Sequence, residues 1–331
     1  MRESFGACPM DSLQSGDQLD HYRIEILVTQ SGMASIYRAT DLQSGRDVAI
    51  KVPHFHVESD PLFFDRFKRE EEIGKKLDHP GVMRVFDDEE RSRVYMVMEW
   101  VDGPTLRHIL TEEKKLSVER AVRIALGICN ALEYIHRNGV VHRDLKPENV
   151  MVGSEDQIKL IDFGIAGGMG MRRLTFAKLT RAMGTPDYVS PEQVKSKRGD
   201  ARSDVYALGV MLYEMLTGDV PFHGPNPLAV INDRLINYPT PPLELDPAIS
   251  PQLQEIIYRA LERNPSNRYA SAGEFAKDLR NPASVGVADR DELRDWKSRR
   301  SSQPRTLLKY VMLAMIPVII FILLLITARH N

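Results

Sequence analysis

Asp144, Lys146 and Asn149 fall in one short stretch, His142-Arg143-Asp144-Leu145-Lys146-Pro147-Glu148-Asn149. Their types and spacing suit one chemistry. The carboxylate can orient a hydroxyl and accept its proton. The ammonium two residues on can reach a transferring phosphate, and the amide oxygen of Asn149 suits a hard metal ion. Such groups could serve the transfer of a phosphoryl group.

The stretch resembles the catalytic loop of the eukaryotic-like serine/threonine protein kinases, in wording most like their bacterial branch. The resemblance covers about residues 21–281. It implies an α+β, bilobal fold, with a small β-rich lobe and a larger α-helical lobe. It also implies ATP with Mg²⁺, or Mn²⁺ in its place, and protein serine or threonine side chains as acceptors. Asp144 becomes the base and Lys146 a phosphate contact, with Asn149 and Asp162 as metal ligands. Asp162 opens Asp162-Phe163-Gly164, after the strand-like run Ile158-Lys159-Leu160-Ile161. Lys51, ending the alternating run Val48-Ala49-Ile50-Lys51, would pair with the α- and β-phosphates. Of the three carboxylates that follow, Glu70, Glu71 and Glu72, alignment picks Glu70 as its ion-pair partner. Backbone groups of Glu99 and Val101 would meet the adenine edge. Val28, Ala49 and Met151 would surround the nucleotide, with Met98 at the back of the pocket.

Other positions read as scaffold or acceptor docking. Gly184 to Glu192 resembles the docking segment, with Ser190 where alanine is usual. Glu192 is expected to form a buried ion pair with Arg268, and Asp204 to hold the catalytic-loop backbone. The resemblance implies alcohol over phenol acceptors, through Thr185 with Lys146.

One motif departs from the pattern. Thr29, Ser31 and Ala34 stand where the phosphate-covering loop has glycines, and only Gly32 remains, one place off. Glycine serves there because a missing Cβ lets backbone N–H groups approach phosphate. The expectation is an active kinase with a poorer phosphate cradle. The alternative is a catalytically weak or silent pseudokinase that acts as a scaffold.

Elements must position these groups, and the chain has room for them. Its 331 residues exceed one two-lobed domain of about 260. Strand-like alternation runs over 21–98, broken by a helix around Glu70. The hinge is 99–103, and helical periodicity dominates 104–281. Residues 1–20 are polar and turn-rich, without a signal-peptide core. A net charge of −2 argues against a nucleic-acid binder. Two cysteines, Cys8 and Cys129, make no disulfide framework.

Between Gly164 and Gly184 lie Arg172, Arg173, Lys178 and Arg181, with no acidic residue, around Thr175 and Thr180. In the family this is the activation loop, ordered when the arginine before the catalytic aspartate, here Arg143, binds a loop phosphate. Autophosphorylation is expected at Thr180, then Thr175.

Residues 310–328 carry no charge. At ~1.5 Å per residue they reach about 28 Å, close to a bilayer core, and Pro317 is tolerable in such a helix. Lys297, Arg299, Arg300, Arg305 and Lys309 precede them and only Arg329 follows. The positive-inside rule then predicts a single-pass, C-terminally anchored membrane protein with a cytoplasmic kinase domain. Residues 282–309 would be a basic linker drawn to anionic lipid. On this reading nothing large lies beyond the membrane, so signals are expected through the span, lipid or cytosolic partners. Clustering or a homodimer would favour phosphorylation between neighbours.

Overall fold

Alternating apolar residues in the first third of the chain pair into one antiparallel sheet. Its strands are β1 (Gln18–Leu19), β2 (Tyr22–Gln30), β3 (Ala34–Asp41), β4 (Asp47–Pro53) and β5 (Met96–Glu99), in that spatial order. The structure is a computed structural model and describes residues 13–54, 61–87, 91–162, 186–195 and 199–288. Ordered packing begins ahead of the residue-21 boundary read from the sequence. Gly16 donates to Ile24 O at 2.8 Å, and Leu19 is buried against Tyr22 and Ile24.

One face of the sheet buries Tyr37, Ile50, Tyr95 and Val97. The other receives α1 (Pro61–Gly74), whose Phe67 packs with Met83, Met96 and Met98. β5 pairs with β4 only from Lys51↔Met96 to Val48↔Glu99, so Glu99 belongs to the strand and the hinge proper starts after it.

The larger lobe is helical. Its long elements are α2 (Leu106–Glu113), α3 (Val118–Arg137), α4 (Ala201–Thr217), α5 (Pro227–Ile236), α6 (Pro251–Ala260) and α7 (Ala272–Arg280). Ser117 caps α3 by accepting from Arg120 N, and His136 and Arg137 sit in its last turn, where cations suit the helix dipole. α4 is buried along almost its whole length, so it serves as the post on which the lobe is built. Cys129 on α3 is wholly buried in that core. Pro242 opens a single turn of helix, Pro242–Leu245; proline is at home in a first turn. Bilobal architecture is therefore as expected. Among the described residues no helix is long and apolar enough to cross a membrane. The 310–328 segment and the 282–309 linker beyond residue 288 lie outside the described residues.

Candidate active site

Three strands and a helix converge on Lys51. It sits in β4 opposite Ile36 of β3 and Met96 of β5. Its Nζ donates to Glu70 Oε1 at 2.8 Å and to Asp162 Oδ1 at 2.9 Å. Helical spacing explains why Glu70 is the partner: it lies one turn beyond Phe67, whose ring is buried under the sheet. Glu71 instead meets Lys75 at 3.0 Å and Arg91 at 2.7 Å. One ammonium thus serves two carboxylates. Burial raises the Glu70 pKa and Lys51 only partly offsets it. The Lys51 charge holds Asp162 below its ordinary value, against burial. Burial of Lys51 itself is outweighed by the two carboxylates, which keep it protonated.

The catalytic loop hangs from α4. Asp204, 1% exposed, accepts from His142 N and Arg143 N, each at 2.8 Å, and from His136 Nε2 at 2.8 Å. Arg143 adopts φ +63°, a strained value for a non-glycine residue that these bonds hold in place. Burial lowers the pKa of His142, opposed by the Asp204 charge. Beyond it, Lys146 Nζ donates to Asp144 Oδ2 at 2.8 Å, and Asn149 Nδ2 donates to Asp144 O at 2.8 Å and Oδ2 at 3.1 Å. Ile161 N donates to Asn149 O at 3.0 Å, which sets Asn149 beside the residue preceding Asp162.

These contacts decide which oxygens remain for a metal. The amide nitrogen of Asn149 is spent on Asp144, so its Oδ1 is the available atom. Lys51 takes one oxygen of Asp162, leaving Oδ2. No group of three or more His, Cys, Asp or Glu among the described residues could hold an ion. An amide oxygen and one carboxylate, completed by phosphate and water, fit Mg²⁺.

Around the nucleotide position, Val28 is exposed on β2, Ala49 pairs with Met98, and Met151 bridges to Thr105. Glu99 donates its N–H to Arg84 O at 2.9 Å, and its carboxylate accepts from Lys159 at 2.5 Å. Neither backbone polar group of Val101 has a protein partner among the described residues.

The altered glycine loop is a tight β2–β3 hairpin. Ser31 Oγ accepts from Met33 N at 3.2 Å and Ala34 N at 3.0 Å, and Ser31 N donates to Ala34 O at 2.9 Å. Gly32 does not use a positive φ. Ser35 and His54 hydrogen-bond at 3.0 Å, and His54 N donates to Met33 O at 2.9 Å, tying the hairpin to the end of β4.

Glu192 and Arg268 form the expected pair, at 2.7 and 2.8 Å, with the Arg268 side chain fully buried. Two features escape the sequence. Gln193 donates to Arg143 O at 3.0 Å while accepting from Ser190 N at 3.0 Å. Arg107 on α2 joins Glu148, Glu214 and Tyr188. The Gln193–Arg143 contact and the partners of Arg107 span 41 to 107 residues, so no local spacing reveals them, whereas the Ser190–Gln193 contact is a local capping box. Phe163, Gly164, Thr175, Thr180, Gly184 and Thr185 lie outside the described residues.

A five-stranded lobe over a helical lobe, with Lys51, Glu70 and Asp162 meeting Asp144 and Asn149, defines a kinase-type fold. The chain belongs to the protein kinase domain family, whose model matches residues 22–279. It is 42% identical over 263 residues to a probable serine/threonine-protein kinase of Streptomyces coelicolor, covering 78% of this chain and 39% of that one. With the serine/threonine-protein kinase PknB of Mycobacterium tuberculosis it shares 36% identity over 301 residues, 87% of this chain and 48% of the other. The chain therefore spans less than half the length of these curated relatives. Among solved structures, the Mycobacterium tuberculosis PknI kinase domain matches with a TM-score of 0.64 at 27% identity, covering 82% of this chain and 100% of that one. Rad53 1–466 in complex with AMP-PNP matches with a TM-score of 0.62 at 28% identity, covering 77% and 64%.

Proposed function

We propose that this chain is an ATP- and Mg²⁺-dependent protein kinase acting on serine and threonine hydroxyls. The observation that carries the reading is the assembled Lys51–Glu70 pair beside Asp162 and the Asp144–Lys146–Asn149 cluster. Asp144, 47% exposed, faces incoming acceptors. It orients the hydroxyl and takes its proton as the oxygen forms a bond to the γ-phosphorus. The γ-phosphorus–oxygen bond to the β-phosphate breaks, and ADP leaves. Lys51 holds the α- and β-phosphates, and Lys146 offsets charge on the transferring group. Asp162 and Asn149 would hold Mg²⁺, which supplies charge neutralisation across the phosphates. The relative Rad53 was solved with AMP-PNP, an ATP analogue, which supports the nucleotide. The Val101 backbone, without a partner among the described residues, supports adenine binding at the hinge, with Val28, Ala49 and Met151 around the ring.

The test is phosphate transfer from labelled ATP to a generic protein substrate. Asp144→Asn should lower the rate by about 10²–10⁴-fold. Equal transfer by parent and variant would remove the assignment. The hydroxyl of Ser31 on two hairpin amides favours a second reading, a pseudokinase scaffold, which predicts no turnover in the folded parent.

The reading extends to the membrane. Residues 310–328, uncharged and preceded by basic residues, support a single span with the kinase domain cytoplasmic and the basic linker on anionic lipid. Thr180 and Thr175 are proposed autophosphorylation sites, served by Arg143, with neighbouring copies phosphorylating one another. Recovery of the full chain in the soluble fraction would overturn the anchor. Mass spectra of active protein lacking phosphate on both threonines would overturn the sites.

A further inference from the structure

Arg234 reaches from α5 to the docking segment and ends on two backbone carbonyls. One terminal nitrogen donates to Val189 O at 2.5 Å and the other to Asp187 O at 2.6 Å. The residue is 1% exposed, and its guanidinium carbon lies 5.9 Å from the centre of the Phe222 ring. Its helix is fixed at both ends. Asn226 caps the start by accepting from Ala229 N at 3.0 Å. Near the other end, Asp233 accepts from His223 N at 3.1 Å and from Asn237 Nδ2 at 2.6 Å. The fork is therefore held out from a firm base.

Val189 is where that hold meets the chemistry. With Tyr188 it lines the small crevice that Asp144 and Lys146 share. No sheet includes this segment among the described residues, so side chains must fix its backbone. Tyr188 is tied by its hydroxyl, which donates to Glu214 Oε2 at 2.5 Å, and Ser190 by Gln193, which accepts from Ser190 N at 3.0 Å. Arg234 supplies what those ties leave out, the carbonyls on either side of Tyr188.

Stability alone does not account for the arrangement. Among the described residues both terminal nitrogens bond to backbone carbonyls, and Nε is buried without a partner. A buried guanidinium without a paired carboxylate is costly, and an apolar side chain of similar volume would serve packing better. What the guanidinium adds is geometry. Its planar, two-pronged donation sets two carbonyls at a fixed spacing, which a single ammonium cannot do.

We propose that Arg234 is a positioning residue for the protein acceptor. It acts through Asp187 and Val189, keeping the crevice wall beside Asp144 in the shape that an acceptor chain needs. The inference rests on the protein-kinase reading above. Lys51, Glu70 and Asp162 bond to one another and not to Arg234, so the nucleotide side should not feel its loss.

The experiment measures steady-state constants for the full chain, with labelled ATP and myelin basic protein as acceptor. Arg234→Met keeps the length of the side chain and removes both donors. Its kcat/KM for the acceptor should fall about tenfold to a hundredfold, mostly through KM, as a displaced positioning group implies. The KM for ATP should stay within about twofold. Arg234→Lys keeps the charge but not the fork, and should remain at least about fivefold below the parent. Full recovery by lysine would make charge, and not the fork, responsible and would overturn the proposal. A purely structural role lowers the active fraction, which reduces kcat and leaves the acceptor KM in place; that result overturns it too, as does failure of both variants to fold. Unchanged acceptor constants in folded Arg234→Met overturn the positioning role and leave the kinase reading standing. Absence of transfer by the folded parent overturns the kinase reading, and the positioning role with it.

Discussion

Glu192 and Arg268, 76 residues apart in the chain, meet in a two-pronged ion pair at 2.7 and 2.8 Å. Arg268 also donates to Glu262 O at 2.6 Å and stacks over the Tyr206 ring at 4.8 Å, so the guanidinium is held on every side. Removing either partner strands a buried charge. Arg268→Ala is expected to cost about 3–5 kcal/mol in urea unfolding. The pair also has a pH signature. Burial would raise the Glu192 pKa, but the Arg268 bonds win and hold it down to about 2, against an ordinary 4.5. Its contribution is complete above the unfolded value and drains away as pH falls from there toward about 2. The stability gap between parent and Glu192→Gln should therefore shrink across that window. A gap that stays constant from pH 7 to pH 3 would contradict the linkage.

Gly103 closes the hinge by a close approach. It has φ +125°, and a Cβ there would lie 2.5 Å from Val152 O. Val152 N donates to Pro104 O at 2.9 Å, so neither strand can retreat without losing that bond. Gly103→Ala should destabilise the chain by about 1–3 kcal/mol and lower its thermal midpoint. An unchanged midpoint would show the hinge to be softer than this packing implies.

Asp204 offers two oxygens to three donors, and asparagine cannot repeat that. Its amide would turn a donor toward the His142 or Arg143 N–H. Asp204→Asn should lower kcat at least tenfold with little change in the KM for ATP, because the loop carrying Asp144 moves while Lys51 and Glu70 stay. The cost in stability should be about 1–3 kcal/mol, that of an unsatisfied buried donor. A rise in KM with kcat preserved would place the damage elsewhere.

Lys51, Asp144, Asn149 and Asp162 are legible in the sequence because each lies in a short run whose residue order is itself the signal. Glu70 is legible by alignment, and helix periodicity explains why Glu71 and Glu72 do not take its place. Glu192 and Arg268 are legible only as a pair of motifs. Arg107 is not legible at all: an arginine in a first helical turn reads as solvated surface until Glu148, Glu214 and Tyr188 close around it. β1 escapes because two residues carry no periodicity. The Ser31 turn escapes for another reason. Substitution of a glycine predicts a poorer loop, but only geometry shows where the replacing hydroxyl goes.

That hydroxyl yields the last prediction. Ser31 Oγ holds the N–H groups of Met33 and Ala34, two donors of the hairpin that takes the place of the phosphate-covering loop, at 3.2 and 3.0 Å. Phosphate must displace it to use them. Neutral hydrogen bonds of this kind contribute about 0.5–1.5 kcal/mol each, and phosphate would gain more from the same donors. Ser31→Gly frees both amides and restores glycine at that position, so the KM for ATP should fall about threefold to tenfold. Hairpin rigidity should fall too, since Ser31 Oγ also donates to Ala34 O at 3.0 Å. kcat need not rise, because Lys51, Asp144 and Asp162 are untouched. Ser31→Thr keeps the hydroxyl and should leave the KM near that of the parent. If Ser31→Gly raises the KM for ATP instead, the hydroxyl shapes the cradle rather than blocking it.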